Sequence, residues 1–195
     1  MYHSAEKLFP SSVYTDHWYS PITQPEAGFG DLDKELEQSI PLLAGPGRNY
    51  FKLTLSMPEA RIWDLEAPWL YQVQVRLLNG DGDLLDAASQ QFGMRSFVQD
   101  ETTSPKGKFY LNGREIRLRG ANTMGNLDLC VFRNDTPQLI DDILLARLTH
   151  MNFLRLTQHP VQKQVYEYCD RLGMLLQTDL PLFGTLRRNQ FLECV

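Results

Sequence analysis

NFLRLTQHPVQKQVYEYCDRLGMLLQTD, residues 152–179, decides the fold. It opens on a short apolar strand, Asn152-Phe153-Leu154-Arg155-Leu156. After Pro160, the residues Val161, Val165, Tyr168, Cys169 and Leu172 build the apolar stripe of an amphipathic helix. Gly173 stands where a helix end wants a residue free to take positive φ. Met174-Leu175-Leu176-Gln177 is then a further strand, ending at Thr178-Asp179. Upstream the same grammar recurs. Thr136 is placed to cap a helix and Pro137 to fill its first position, with Leu139, Ile140, Ile143, Leu144 and Leu148 as the stripe. Ahead of it, Asn112-Gly113 joins Phe109-Tyr110-Leu111 to Glu115-Ile116-Arg117-Leu118-Arg119, a strong hairpin signal because both turn positions tolerate positive φ. Strand, helix, strand, helix, strand within about 65 residues predicts two consecutive βαβ units and a parallel sheet.

The first half reads differently. Phe51–Leu55, Tyr71–Leu77 and Gln90–Val98 alternate apolar and polar side chains as half-buried strands do, and Gly80-Asp81-Gly82-Asp83 supplies turn residues. Short strands at this spacing predict an antiparallel sandwich. Ser104-Pro105-Lys106-Gly107 marks the expected boundary. The first 50 residues are rich in Pro and Gly, with one short amphipathic piece, Asp31 to Ile40, expected as a helix.

Composition narrows the function. The chain has 195 residues, of which 43% are hydrophobic and 22% charged, as in globular proteins. Nineteen basic against 24 acidic side chains give a net charge of −5, which argues against non-specific binding of nucleic acid. No apolar run approaches the length of a membrane span, and Met1-Tyr2-His3-Ser4 opens no signal peptide. Cys130, Cys169 and Cys194 have neither disulfide nor zinc spacing and are expected as buried apolar residues. Phosphate-loop, GxGxxG and GxSxG motifs are absent, and Asp81-Gly82-Asp83 lacks the later ligands of a calcium loop. No cofactor and no metal are expected.

Six phrases together resemble glycoside hydrolase family 2. They are Ile62-Trp63-Asp64-Leu65-Glu66-Ala67-Pro68-Trp69-Leu70-Tyr71, then Phe92-Gly93-Met94-Arg95 (FGxR) and Phe109-Tyr110-Leu111-Asn112-Gly113 (FxLNG). Leu118-Arg119-Gly120-Ala121-Asn122 (LRGxN), Met151-Asn152-Phe153-Leu154-Arg155 (NxxR) and Tyr168-Cys169-Asp170-Arg171-Leu172-Gly173-Met174 follow. Each is weak alone; their shared order is specific. The resemblance implies an immunoglobulin-like β-sandwich with an irregular N-terminal segment over residues 1–105, and the truncated N-terminal part of a (β/α)8 TIM barrel, its first three β/α units, over 106–195. A complete barrel needs about 200 residues or more, so an internal fragment of a retaining exo-glycosidase is expected, acting on β-glycosides together with the remaining part of its parent polypeptide. The family's two catalytic glutamates, one of them in an Asn-Glu pair, are expected outside this chain, which has no such dipeptide.

What the resemblance leaves here is the early wall of a sugar pocket, at the C-terminal ends of the strands. Arg119 and Asn122 are expected after the first strand, Arg155 and Gln158 after the second, and Asp179 after the third. Arg155 falls on the family arginine that contacts the nucleophilic carboxylate. Galactosidase-like members read R-x-S-H-Y-P where this chain reads Arg155-Leu156-Thr157-Gln158-His159-Pro160. Gln158 therefore replaces a sugar-contacting histidine and retains only neutral hydrogen bonding. Asp179 takes the place of a family acidic residue, with a loop-capping role as the bland reading. Trp63 and Trp69 are expected in the sandwich core, and His159 as a packed or surface residue. The competing functional reading is a non-catalytic carbohydrate-binding or scaffold module derived from such an enzyme.

Overall fold

The computed structural model describes residues 38–43 and 45–181. Most of the Asp31–Ile40 segment lies outside these residues, and 38–40 is irregular. Phe51–Leu55, expected as a strand, is irregular too, with Phe51, Leu53 and Leu55 between 45% and 49% exposed. Alternation makes a strand only where a neighbour takes up the backbone groups, and among the described residues this segment pairs with none.

Strands β1 (Tyr71–Leu78) and β2 (Leu84–Phe92) form an antiparallel hairpin, from Tyr71 opposite Phe92 to Leu78 opposite Leu84. Its turn is the Gly/Asp run expected: the Asn79 side-chain oxygen accepts from the backbone N–H groups of Asp81 and Asp83. The run Gln90–Val98 is not one strand. It breaks after Phe92 and resumes as β3 (Phe97–Asp100). Trp63 causes the break. Its backbone N–H donates to the Met94 carbonyl at 2.9 Å, and its side chain lies so close to Gly93 that a Cβ there would meet Trp63 Cβ at 2.9 Å.

β3, β4 (Lys108–Leu111) and β5 (Arg114–Ile116) make an antiparallel meander, and Ser104–Gly107 lies in the connection between the paired strands β3 and β4. The Asn112-Gly113 turn has φ of 51° and 76°, as the hairpin required. Asn112 also accepts from the Ser96 N–H and donates to the Trp63 carbonyl, tying the turn to the upstream segment.

A third sheet holds β6 (Gly120–Thr123), β7 (Phe153–Leu156) and β8 (Leu175–Thr178), all parallel. The parallel series is therefore present, but Glu115–Arg119 is not its first strand. That run divides: its start closes the hairpin with β4, and the parallel sheet begins at Gly120. Glycine is needed there because a Cβ would run into the Phe153 carbonyl.

Three helices pack on this sheet: α1 (Asn126–Phe132), α2 (Thr136–Leu148) and α3 (Lys163–Arg171). The α2 cap is Asp135, whose carboxylate accepts from the Gln138 N–H; Thr136 and Pro137 stand inside the helix. A carboxylate one residue earlier reaches that N–H from backbone outside the helical region, as a cap must. Leu139, Ile143 and Leu144 are buried as predicted, whereas Leu148 is half exposed. Val165 and Cys169 of α3 are fully buried against them, and Leu154 and Leu156 of β7 complete that core. Gly173, at φ 68°, ends α3 with the Met174 N–H donating back to the Cys169 carbonyl.

Trp63 is completely buried, yet it belongs to neither predicted core alone. With Leu70 and Leu111 it makes a second cluster that Leu175 of the parallel sheet joins. Its indole N–H donates to the Asp170 carbonyl at 2.7 Å. The Arg95 guanidinium lies 4.4 Å over its ring and pairs with the Asp170 carboxylate at 2.8 Å. Trp69 is half-buried.

Candidate functional site

Side chains alternate across a strand. Leu154 and Leu156 point to the helices, so Arg155 between them projects from the other face, the one that lines a barrel's interior. Its guanidinium forms a two-pronged pair with Asp179, just past the end of β8: Nε to Oδ1 at 3.0 Å and Nη2 to Oδ2 at 2.7 Å. Fork-to-fork geometry makes this stronger and more directional than a point-charge contact. The Asp179 backbone is fixed as well, its N–H donating to the Leu156 carbonyl at 3.1 Å.

Two more donors complete the carboxylate's shell. The Gln158 backbone N–H reaches Oδ2 at 3.2 Å, and the Gln177 amide reaches Oδ1 at 3.4 Å. The Arg155 hydrogen bonds, followed by that of Gln158, hold Asp179 below the ordinary aspartate value of 3.8. Asp179 is thus an anion at neutral pH and serves as an acceptor, not an acid. Gln158 adopts φ 76°, unusual for a residue with a side chain, and its exposed amide stands at the rim.

Asn122 stands beside Arg155 in the parallel register, and Gln177 stands on Arg155's other side. Asn122 lies within β6, not after it, and shares Arg155's face. Arg119 is a correction. It precedes β6, its N–H donates to the Asn152 side chain and its Nε to the His150 carbonyl, so it occupies the opposite, N-terminal end of the sheet. The displaced strand start explains the error. Sequence therefore placed Arg155, Gln158 and Asp179 together and Asn122 next to them, while Arg119 falls elsewhere.

In the sequence Asp128 stands out only as a candidate acid/base partner for Asp179, which pairs with Arg155 instead; helix α1, which carries Asp128, was not anticipated. Asp128 is buried, and its Oδ2 lies 3.8 Å from Nε2 of the half-exposed His159. Seven residues are too few for a periodic signal; the αL Gly125 before the helix was the one cue available. Among the described residues no three His, Cys, Asp or Glu side chains gather around one point, and no helix is long and apolar enough to cross a membrane.

Antiparallel strands running into a parallel β/α sheet, with charged side chains gathered past its C-terminal edge, define a sandwich joined to the start of a TIM barrel. The chain belongs to glycosyl hydrolase family 2: residues 21–95 match that family's model and residues 103–193 match its TIM barrel domain. Relatives include a beta-galactosidase of Oenococcus oeni, 29% identical over 148 residues, which cover 75% of this chain and 14% of the relative. A putative beta-glucuronidase of Formosa agariphila is 34% identical over 121 residues, covering 62% of this chain and again 14% of the relative. The chain thus spans about one seventh of these relatives' length.

Among solved structures, beta-glucuronidase 3 of Bacteroides uniformis superposes with TM-score 0.53 at 26% identity, covering 69% of this chain and 16% of its own. A family 2 member from Bacteroides cellulosilyticus gives 0.50 at 29%, covering 60% and 15%. The Ruminococcus gnavus b-glucuronidase in complex with D-glucuronic acid shares the fold, with TM-score 0.54 at 23% identity over 69% of this chain and 22% of its own.

Proposed function

We propose that this chain forms one wall of the sugar pocket in a retaining exo-acting β-glycosidase whose two catalytic glutamates lie outside it. Residues 1–105 form the sandwich portion and 106–195 the opening part of the barrel. The observation that carries this reading is the Arg155–Asp179 fork at the C-terminal end of adjacent parallel strands, where barrel active sites lie. The relatives named beta-galactosidase and putative beta-glucuronidase favour a β-glycoside as substrate.

Retaining hydrolysis uses two carboxyl groups about 5–5.5 Å apart, one attacking the anomeric carbon and one protonating the leaving oxygen. A guanidinium beside the attacking carboxylate keeps it ionised while its partner holds a proton. Arg155 supplies that cation, and Asp179 fixes its plane. The ionised Asp179 accepts from a sugar hydroxyl that displaces its longest donor, the Gln177 amide at 3.4 Å. Gln158 and Asn122 each offer a neutral donor and acceptor to the same sugar.

The test is turnover of 4-nitrophenyl β-galactoside, β-glucuronide and β-mannoside. The 195-residue chain alone is expected to release no nitrophenol. The same chain continued into a polypeptide that supplies both glutamates is expected to cleave one of them with retention of anomeric configuration, followed by proton NMR. Turnover by the chain alone would overturn the placement of the glutamates. Sugar binding without cleavage by the continued polypeptide would favour the non-catalytic module.

A further inference from the structure

We propose that Tyr166 is a positioning residue of the pocket wall, its hydroxyl bracing the strained turn at Gln158 against the end of β8 so that the Gln158 N–H stays on Asp179. Tyr166 lies in the first half of α3, and its half-buried ring packs against the core cluster that holds Val165 and Cys169. Its hydroxyl accepts twice: from the Val161 backbone N–H at 3.2 Å and from the Thr178 hydroxyl at 3.1 Å. A phenolic oxygen has two lone pairs, so both bonds are within its capacity. Val161 follows Gln158 by three residues in the loop after β7, and Thr178 stands immediately before Asp179. One side chain of α3 therefore joins the two segments that carry the Gln158 donor and the Asp179 acceptor, which meet at 3.2 Å.

The turn needs such a brace. Gln158 holds φ at 76°, a conformation that costs free energy in a residue with a Cβ and persists only where its surroundings impose it. On its N-terminal flank, the Thr157 N–H and hydroxyl both donate to the Thr123 carbonyl, at 3.3 and 2.6 Å. On its C-terminal flank Pro160 has no N–H to offer, and the next one, that of Val161, is held by Tyr166. The strained residue is thus fixed from both sides. Helix α3 is itself pinned from the antiparallel part, through the Trp63 indole on the Asp170 carbonyl and the Gln91 amide on the Glu167 carbonyl. Tyr166 is where that anchorage reaches the rim. Removing the hydroxyl alone leaves the ring on the core, while the Val161 side chain on that core and His159 beside Asp128 keep the loop folded. What is lost is the constraint on Gln158.

The test compares the full chain with Tyr166→Phe, Thr178→Val and the double variant by NMR. In Tyr166→Phe the Gln158 amide hydrogen is expected to exchange about fivefold faster, the factor for one hydrogen bond lost. The Asp179 carboxyl titration is expected to move upward while staying below 3.8, because the Arg155 fork remains. Thr178→Val changes an exposed side chain and is expected to shift both readouts the same way by less; if Tyr166→Phe fails to fold, it carries the test. The double variant is expected to be no worse than Tyr166→Phe, since both changes act through one hydroxyl. A lower Tm with Gln158 exchange and Asp179 titration unchanged would reduce Tyr166 to a packing residue and overturn the proposal, as would effects that simply add. Only the consequence for turnover rests on the proposed sugar pocket: in the polypeptide continued through both glutamates, Tyr166→Phe is expected to lower kcat by a similar factor with KM little changed. Both NMR shifts with kcat intact would uphold the brace and count against the pocket.

Discussion

Asp179 concentrates the electrostatics of the pocket wall. Its folded value lies below 3.8, so its ionic contribution is complete above that ordinary value and is lost only as pH falls through the depressed one. At pH 3.8 more than half of Asp179 is therefore ionised, which a carboxyl carbon NMR titration reads directly; half-protonation at or above 3.8 would refute it. Asp179→Asn removes the ionic half of the Arg155 fork and replaces an acceptor of the Gln158 N–H with an amide that satisfies it less well. The Arg155 Nε–H resonance, slowed in exchange by the fork, is expected to exchange at least about tenfold faster in that variant. The positions of Arg155 and Asp179 were legible in the sequence, because each stands at the end of a short apolar strand. Their mutual pairing was not, because it joins residues 24 apart through a parallel register that no local pattern encodes.

Elements ended where backbone chemistry demanded, with two instructive shifts. Asp135→Ala is expected to cost about 1 kcal/mol in urea unfolding, whereas Thr136→Ala is neutral or slightly stabilising because alanine is the better helix former; the reverse order would restore Thr136 as the cap. Gly173→Ala is expected to cost at least about 1 kcal/mol, since the residue sits at φ 68° and a Cβ there would strike the Leu65 carbonyl. The hairpin at Asn112-Gly113, the helices at 136–148 and 163–171 and the strands at 153–156 and 175–178 were readable from periodicity and turn residues alone. The first parallel strand was misplaced because Glu115–Arg119 and Gly120–Thr123 form one uninterrupted stretch of strand-compatible residues. Only the close approach of Phe153 to Gly120 divides them. Gln90–Val98 was over-extended for a related reason, since Trp63, some thirty residues upstream, supplies the backbone partner that breaks it.

At the scale of the molecule, Trp63 fastens the antiparallel part to the β/α part. Its ring is enclosed by Arg95, and its N–H ends on the Asp170 carbonyl of α3. Gln91 of β2 reaches the Glu167 carbonyl and the Arg171 guanidinium on the same helix. Trp63→Ala is expected to cost about 3–5 kcal/mol and to make the two parts unfold at separate urea concentrations instead of together. Retained single-step unfolding would contradict that coupling. Such a joint holds the rim of the parallel sheet at a fixed angle to the strands before it, and that rim is where the account places the sugar. The most direct test is kcat/KM for a cleaved 4-nitrophenyl β-glycoside, measured on the polypeptide that continues this chain through both glutamates, with and without Arg155→Lys. Lysine keeps the charge and loses the fork. A fall of about 100-fold is expected, mostly in kcat. Unchanged kcat/KM would contradict it.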